Sequence, residues 1–186
     1  IYKGDVMTPQ ELKESFDIDV DQPTLLITYH PETLTREENP AQEVAVLVDA
    51  LKKFQDYQQV VTYPGTETGF RGIIEAWERY AGENKNVKLY KSLGSRGYLG
   101  VMKHASAVVG NSSSGIIEAP SFKLPVVNIG TRQQGRIRAA NVIDKGYKSK
   151  DILAGIEKAV SREFKELVSN NRKPIFQGEC RPGNCF

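Results

Sequence analysis

Three consecutive serines, Ser112, Ser113 and Ser114, stand between Asn111 and Gly115 in the stretch VVGNSSSGIIEAPSF. Two chemistries fit them. One serine can cap a helix by accepting from its first free N–H groups, leaving the others as solvated turn. Alternatively, small hydroxyl residues and glycines at a strand-to-helix turn let N–H groups and hydroxyls close around a phosphate. A second cluster bears on the choice: the stretch GTRQQGRIRAA carries Arg132, Arg136 and Arg138, whose guanidinium groups suit a phosphate or diphosphate. If both clusters reach one edge of one sheet, an anion site is the better reading. Glu118, placed one turn into the helix that the serines would open, is either a charge favoured by the positive helix end or an acceptor for a ribose diol beside the phosphates. His30 ends an apolar run and precedes Pro31; it is either a structural hydrogen-bonding side chain or part of a site.

Other chemistries lose support. No glycine-rich run ends in Gly-Lys-Ser or Gly-Lys-Thr and no G-x-G-x-x-G follows an apolar run, which removes the signatures of triphosphate hydrolysis and of ordinary dinucleotide redox chemistry. Cys180 and Cys185 come without nearby histidines, so they read as free thiols and no metal site is expected. A formal net charge of +2, with 25 basic and 23 acidic side chains, is too small to argue for nucleic acid or an anionic membrane surface. No apolar stretch approaches a membrane span and no charged-then-apolar leader is seen, which makes a cytoplasmic location the expectation. His104 reads as packing or capping, and the REEN cluster, Arg36 to Asn39, as the solvated opening of a helix.

These residues need a scaffold, and the pattern supplies one. Short β-branched runs alternate with longer helical patterns: TLLITYH, QVVTYP, NVKLYK, AVVGNS, LPVVNIG and NVID read as strands. Between them AQEVAVLVDALKKF, GFRGIIEAWERYAG and GYLGVMKHA read as helices, and KDILAGIEKAVSREFKELV as one long amphipathic helix near the end. Strands separated by helices need crossovers, so a parallel sheet covered on both faces is predicted: a doubly wound, Rossmann-like α/β fold. Ligands of such sheets bind beyond the carboxyl ends of the strands. HPETLTREEN, PGTETG, LGSRG, GNSSSG and GTRQQGR all fall there, after successive strands. At 186 residues the chain suits a single domain, 1–186, with its core over about 24–170, a lead-in over 1–23 and a tail over 171–186. Opening without a methionine, it is expected to be a piece of a longer protein.

The segments VVGNSSSGIIEAPSFKLPVVNIGTRQQGR, TYHPET and LGSRGYLGVMKHAS closely resemble the C-terminal half of the UDP-N-acetylglucosamine 2-epimerases, most of all the hydrolysing branch of sialic-acid-type pathways. The similarity runs from Thr24 to about Asn184. It implies half of a GT-B architecture, two Rossmann-like domains with the nucleotide sugar between them, and a UDP-sugar substrate with no cofactor. It also implies an N-terminal domain as partner and leaves room for a homo-oligomer. By the resemblance, Ser112, Ser113 and Ser114 fall at the diphosphate, Glu118 at the ribose and Arg132 in the UDP pocket. LGSRGYL, with Tyr98, falls at the uracil, and Asn111 and Gly115 flank the serines within the substrate-binding set. His30 matches the family's strand-end histidine, near the phosphates and the reacting sugar. The implied reaction removes the C2 proton, expels UDP to give a 2-acetamidoglucal and adds water with inverted C2 configuration. A GT-B glycosyltransferase, a non-hydrolysing epimerase and a non-enzymatic sensor of UDP-sugars are the rival readings.

Overall fold

The computed structural model describes residues 5–30, 32, 40–64 and 71–170. Pro31, the REEN cluster, Gly65 of PGTETG, Cys180 and Cys185 lie outside the described residues.

Strands β1 (Thr24–Thr28), β2 (Gln58–Thr62), β3 (Val87–Tyr90), β4 (Ala107–Gly110), β5 (Val126–Ile129) and β6 (Val142–Lys145) form one parallel sheet in the order β3-β2-β1-β4-β5-β6. This is the doubly wound order expected from the alternating pattern. Along each central strand, successive side chains turn to opposite faces. Leu25, Ile27, Val109 and Val127 enter one apolar cluster, and Leu26, Val108 and Val126 enter the other. Helices α2 (Pro40–Leu51), α3 (Arg71–Glu83), α6 (Ser149–Val160) and α7 (Arg162–Asn170) supply the first face. Helices α1 (Pro9–Phe16) and α4 (Gly94–His104) supply the second, followed by the short α5 (Ser114–Ile117) and a 3-10 turn, Ala119–Phe122.

Two departures from the sequence pattern have local causes. The long terminal helix is broken in two at Ser161, whose backbone is extended and whose hydroxyl accepts from the Phe164 N–H at 3.2 Å, capping α7. The segment read as a lead-in holds a capped helix packed on the second face. Thr8 and Glu11 form a reciprocal capping box, Pro9 opens the first turn, and Leu12 is fully buried.

The switch in strand order fixes where a ligand can enter. From β1 the chain winds outward through β2 and β3, then returns to lay β4 on the other side of β1. The loops leaving β1 and β4 therefore diverge to opposite faces and open a crevice between them. At its floor Thr28 pairs with Gly110, and the Asn111 N–H donates to the Thr28 carbonyl at 3.2 Å. Gly110 has φ +136°, and a Cβ there would run into the Thr28 carbonyl. Glycine closes the strand pair where the crevice begins.

Candidate functional site

The crevice has two sides. On the first, Ser112, Ser114, Glu118, Tyr98, Thr28 and Thr62 line a cavity of about 340 Å³, whose wall is completed by 91–95 and by Leu99 and Tyr63. Four of the predicted site residues meet here: Ser112, Ser114, Tyr98 and Glu118. Their hydroxyls touch in series. Thr62 Oγ1 lies 2.7 Å from Thr28 Oγ1, which lies 3.3 Å from Tyr98 Oη; Tyr98 Oη lies 2.8 Å from Ser114 Oγ. Ser114 Oγ then donates to Ser112 Oγ at 3.0 Å.

The serine turn is not a conventional cap. Ser113 stands at the start of α5 in a helical conformation, and its side chain accepts no capping hydrogen bond. The Gly115 and Ile116 N–H groups bond back to the Ser112 and Ser113 carbonyls at 3.2 and 3.0 Å. The Ser112 and Ser113 N–H groups have no partner among the described residues. Gly115 is buried, where a Cβ would stand 2.9 Å from Val126 Cγ1, so glycine lets the turn lie against β5. With only four residues in α5, Glu118 does not sit one turn inside a helix as expected. It closes α5, because Pro120 two residues later cannot donate to continue the ladder and the chain tightens into the 3-10 turn. Burial raises the Glu118 carboxyl above the ordinary carboxylate range. Burial likewise raises the Tyr98 phenol, so that it keeps its proton.

The second side is closed around a carboxylate that the motif reading passed over. Glu32, buried just beyond β1, accepts at Oε2 from Tyr147 Oη at 2.7 Å, from Thr131 Oγ1 at 2.9 Å and from the Thr131 N–H at 3.3 Å. At Oε1 it accepts from Asn111 Nδ2 at 3.4 Å. Burial alone would raise this carboxyl, but the hydrogen bonds from Tyr147, Thr131, the Arg132 backbone and Asn111 outweigh it, and the group is held below its ordinary value. Gly130, with φ +79°, lies so close that a Cβ would strike Glu32 Oε1 and the Tyr147 ring.

Asn111 joins the two sides and is fully buried. Its Oδ1 accepts from the His30 N–H at 2.7 Å, and its Nδ2 donates to the His30 carbonyl at 2.7 Å, so the side chain mimics a strand partner for the end of β1. Its own carbonyl accepts from Gln133 Nε2 at 2.8 Å and from an Arg132 guanidinium nitrogen at 3.2 Å. The Asn111 amide, which the resemblance placed in the substrate-binding set, holds His30 and also reaches Glu32. Among the described residues His30, Ser113 and Arg132 do not line the cavity. The three arginines also part company. Arg138 pairs with Asp144 at 3.1 Å and donates to the Gln133 and Arg136 carbonyls, bracing its own loop, while Arg136 is exposed. Arg96 of LGSRG turns to the N-terminal segment, where it pairs with Asp5 at 2.8 Å and with Glu11 of α1 at 3.2 Å.

A nucleoside-sized cavity at the switch point of a doubly wound sheet, flanked by N–H groups without a partner among the described residues, fits a nucleotide. Comparison with known families agrees on ancestry: the profile of the UDP-N-acetylglucosamine 2-epimerases matches residues 5–181. The chain belongs to that family. It is 37% identical over 161 residues to the GDP/UDP-N,N'-diacetylbacillosamine 2-epimerase (hydrolyzing) of Campylobacter jejuni, a match over 86% of this chain and 41% of the relative. It is 32% identical over 155 residues to the UDP-N,N'-diacetylbacillosamine 2-epimerase (hydrolyzing) of Legionella pneumophila, over 83% and 40%. It thus spans about two fifths of the length of these epimerases. Among solved structures, the UDP-GlcNAc 2-epimerase of Neisseria meningitidis bound to UDP-GlcNAc matches with a TM-score of 0.67 at 18% identity, over 89% of this chain and 43% of that one. The glycosyltransferase WaaG matches with a TM-score of 0.56 at 14% identity, over 87% and 44%. The fold is the Rossmann-like α/β unit of a GT-B type architecture.

The residues that motif reading missed are Thr28, Thr62, Glu32, Gln133 and Tyr147. One signal was present: β1 and β2 both end in a Thr followed by Tyr, and in adjacent parallel strands of equal register the two threonines must lie side by side.

Proposed function

We propose that the crevice holds the UDP part of a UDP-sugar and that the chain acts as the UDP-binding unit of a hydrolysing UDP-N-acetylglucosamine 2-epimerase. The observation that carries the reading is the convergence of Ser112, Ser114, Tyr98 and Glu118 on one cavity at the switch point. The 91–99 wall would receive the uracil, Glu118 the ribose diol, and the Ser112–Ser114 turn the diphosphate. The hydrolysing branch is favoured by the two curated relatives, both named as hydrolysing enzymes.

In this reading a base removes the C2 proton, UDP departs from C1 to leave a 2-acetamidoglucal, and water adds with inverted C2 configuration. Negative charge grows on the β-phosphate as the C1–O bond breaks. The Ser112 and Ser113 N–H groups and the serine hydroxyls would stabilise that charge without reorganising, an effect worth several kcal/mol in related settings. His30, fixed by Asn111, and Arg132 would approach the phosphates from the other side of the strand pair. None of the residues assigned here serves as the C2 base. That role falls to a facing N-terminal domain, and a cytoplasmic sialic-acid-type pathway is the setting the reading implies.

The test is a calorimetric titration of the 186-residue chain with UDP, paired with an incubation in UDP-N-acetylglucosamine. Binding with Kd of roughly 10 μM to 1 mM and no release of UDP from the sugar nucleotide are expected, because half of a cleft recovers only part of the binding energy. Ser112→Ala, which removes a hydroxyl that lines the cavity, should weaken UDP by about 1.5 to 3 kcal/mol. Turnover at an enzyme's rate, or unchanged UDP affinity in the variant, would refute this division of roles.

A further inference from the structure

The Thr62–Thr28–Tyr98–Ser114–Ser112 series runs from the end of β2, across β1 and α4, to the serine turn. A hydroxyl has one proton to donate, and that constrains the series as a whole. If Ser112 gives its proton to an anion in the crevice, it accepts from Ser114, as the geometry at 3.0 Å already has it. The Ser114 proton is then spent, so Ser114 must accept from Tyr98 at 2.8 Å. Tyr98 in turn accepts from Thr28, and Thr28 from Thr62. Every O–H dipole points the same way, toward the serine turn, and hydrogen bonds in such a chain strengthen one another. The central member is a phenol, the most acidic hydroxyl of the set, and its burial keeps it protonated and so able to donate.

We propose that Thr62, Thr28 and Tyr98 are positioning residues that align Ser112 and Ser114 as hydrogen-bond donors, so that the cavity selects an anionic diphosphate over the uncharged nucleoside through a hydroxyl chain. The proposal rests on the UDP reading above and deepens it. Within the cavity wall the chain gives anion selectivity with neutral groups. A neutral chain can reverse its donors when the anion leaves, so the chain itself adds no unpaired buried charge to the empty site.

The experiment measures UDP and uridine affinities side by side, by NMR titration of the 186-residue chain and its Tyr98→Phe, Thr28→Val and Thr62→Val variants. The wild type is expected to prefer UDP. Tyr98→Phe cuts the chain next to the serines and should lower the UDP-to-uridine affinity ratio by about tenfold. Thr28→Val should lower it less, and Thr62→Val, at the far end, by roughly twofold. A loss that decays along the chain is a signature that simple loosening of the cavity would not produce, since that weakens both ligands alike. If Tyr98→Phe does not fold, the two valine variants, which keep the threonine shape, carry the same comparison. A wild type without preference for UDP over uridine overturns the UDP reading and this proposal with it. A wild-type preference that survives in the variants, or a uridine affinity that falls in step with UDP, overturns the hydroxyl chain alone.

Discussion

Beside one strand pair, the crevice places two carboxylates in opposite circumstances. Glu32 is buried with its oxygens fully engaged by Tyr147, Thr131 and Asn111, and its charge is held stable. Glu118 is half-buried at the cavity wall, where burial raises its carboxyl and, among the described residues, its oxygens accept no hydrogen bond. The first group has spent its acceptor capacity on the fold, and the second has kept it. Carboxylates left short of partners at a cavity wall are where a ligand hydroxyl can be recognised. Satisfied ones are where loops are held together. The contrast extends to their neighbours: the Asn111 amide and Gln133 Nε2 are committed to backbone groups, whereas the serine turn retains unpaired N–H groups among the described residues.

The strongest way to break the comparison is to remove the strand pair on which both sides stand. Gly110→Val forces a side chain into the Thr28 carbonyl at a φ that valine rarely adopts, and stability should fall by more than about 4 kcal/mol. Urea denaturation reads this directly. A midpoint near that of the wild type would mean that β1 and β4 can separate without cost.

Glu32→Gln tests the closed side. An amide in place of the carboxylate presents an N–H to groups that are already donors, so a loss of about 1.5 to 3 kcal/mol is expected at pH 7. The pH dependence has a definite sign. The folded-state pKa lies below the unfolded one, so the contribution is present above the unfolded carboxylate range and is lost as pH falls through the folded value. Melting curves of the two proteins should therefore converge in acid. A constant gap from pH 7 to pH 3 would contradict the clasp.

Glu118→Gln should act in the opposite direction and more weakly. Its folded pKa is raised, so any stability it contributes is complete below the unfolded value and is lost as pH rises through the folded one. At pH 7 the charged side chain costs the fold something, and glutamine should raise the melting temperature slightly, with no gain near pH 4. Binding should change in parallel: discrimination between UDP and 2′-deoxy-UDP should narrow, because the charged acceptor is what rewards the hydroxyl. A variant that is less stable at pH 7 and keeps the discrimination would place Glu118 with Glu32, as a structural group.

Local pattern determined a good deal of this molecule. Alternating β-branched runs and helical repeats imposed crossovers, and crossovers imposed a parallel sheet with the unusual segments at one edge. The serine turn and Glu118 were legible because their peculiarity is one of residue type in a short stretch, whereas Tyr98 came only through the family resemblance. The pattern carried neither which of those segments share a cavity nor which polar groups remain free for a ligand. Both depend on the switch in strand order, which seats Thr28 between Thr62 and Gly110, and on contacts such as Glu32 with Tyr147, 115 residues apart. A hydrogen bond is satisfied or left open by whatever the fold brings within about 3 Å. Residue type sets how many bonds Asn111 or Glu32 can make, and only tertiary structure decides that theirs are already taken.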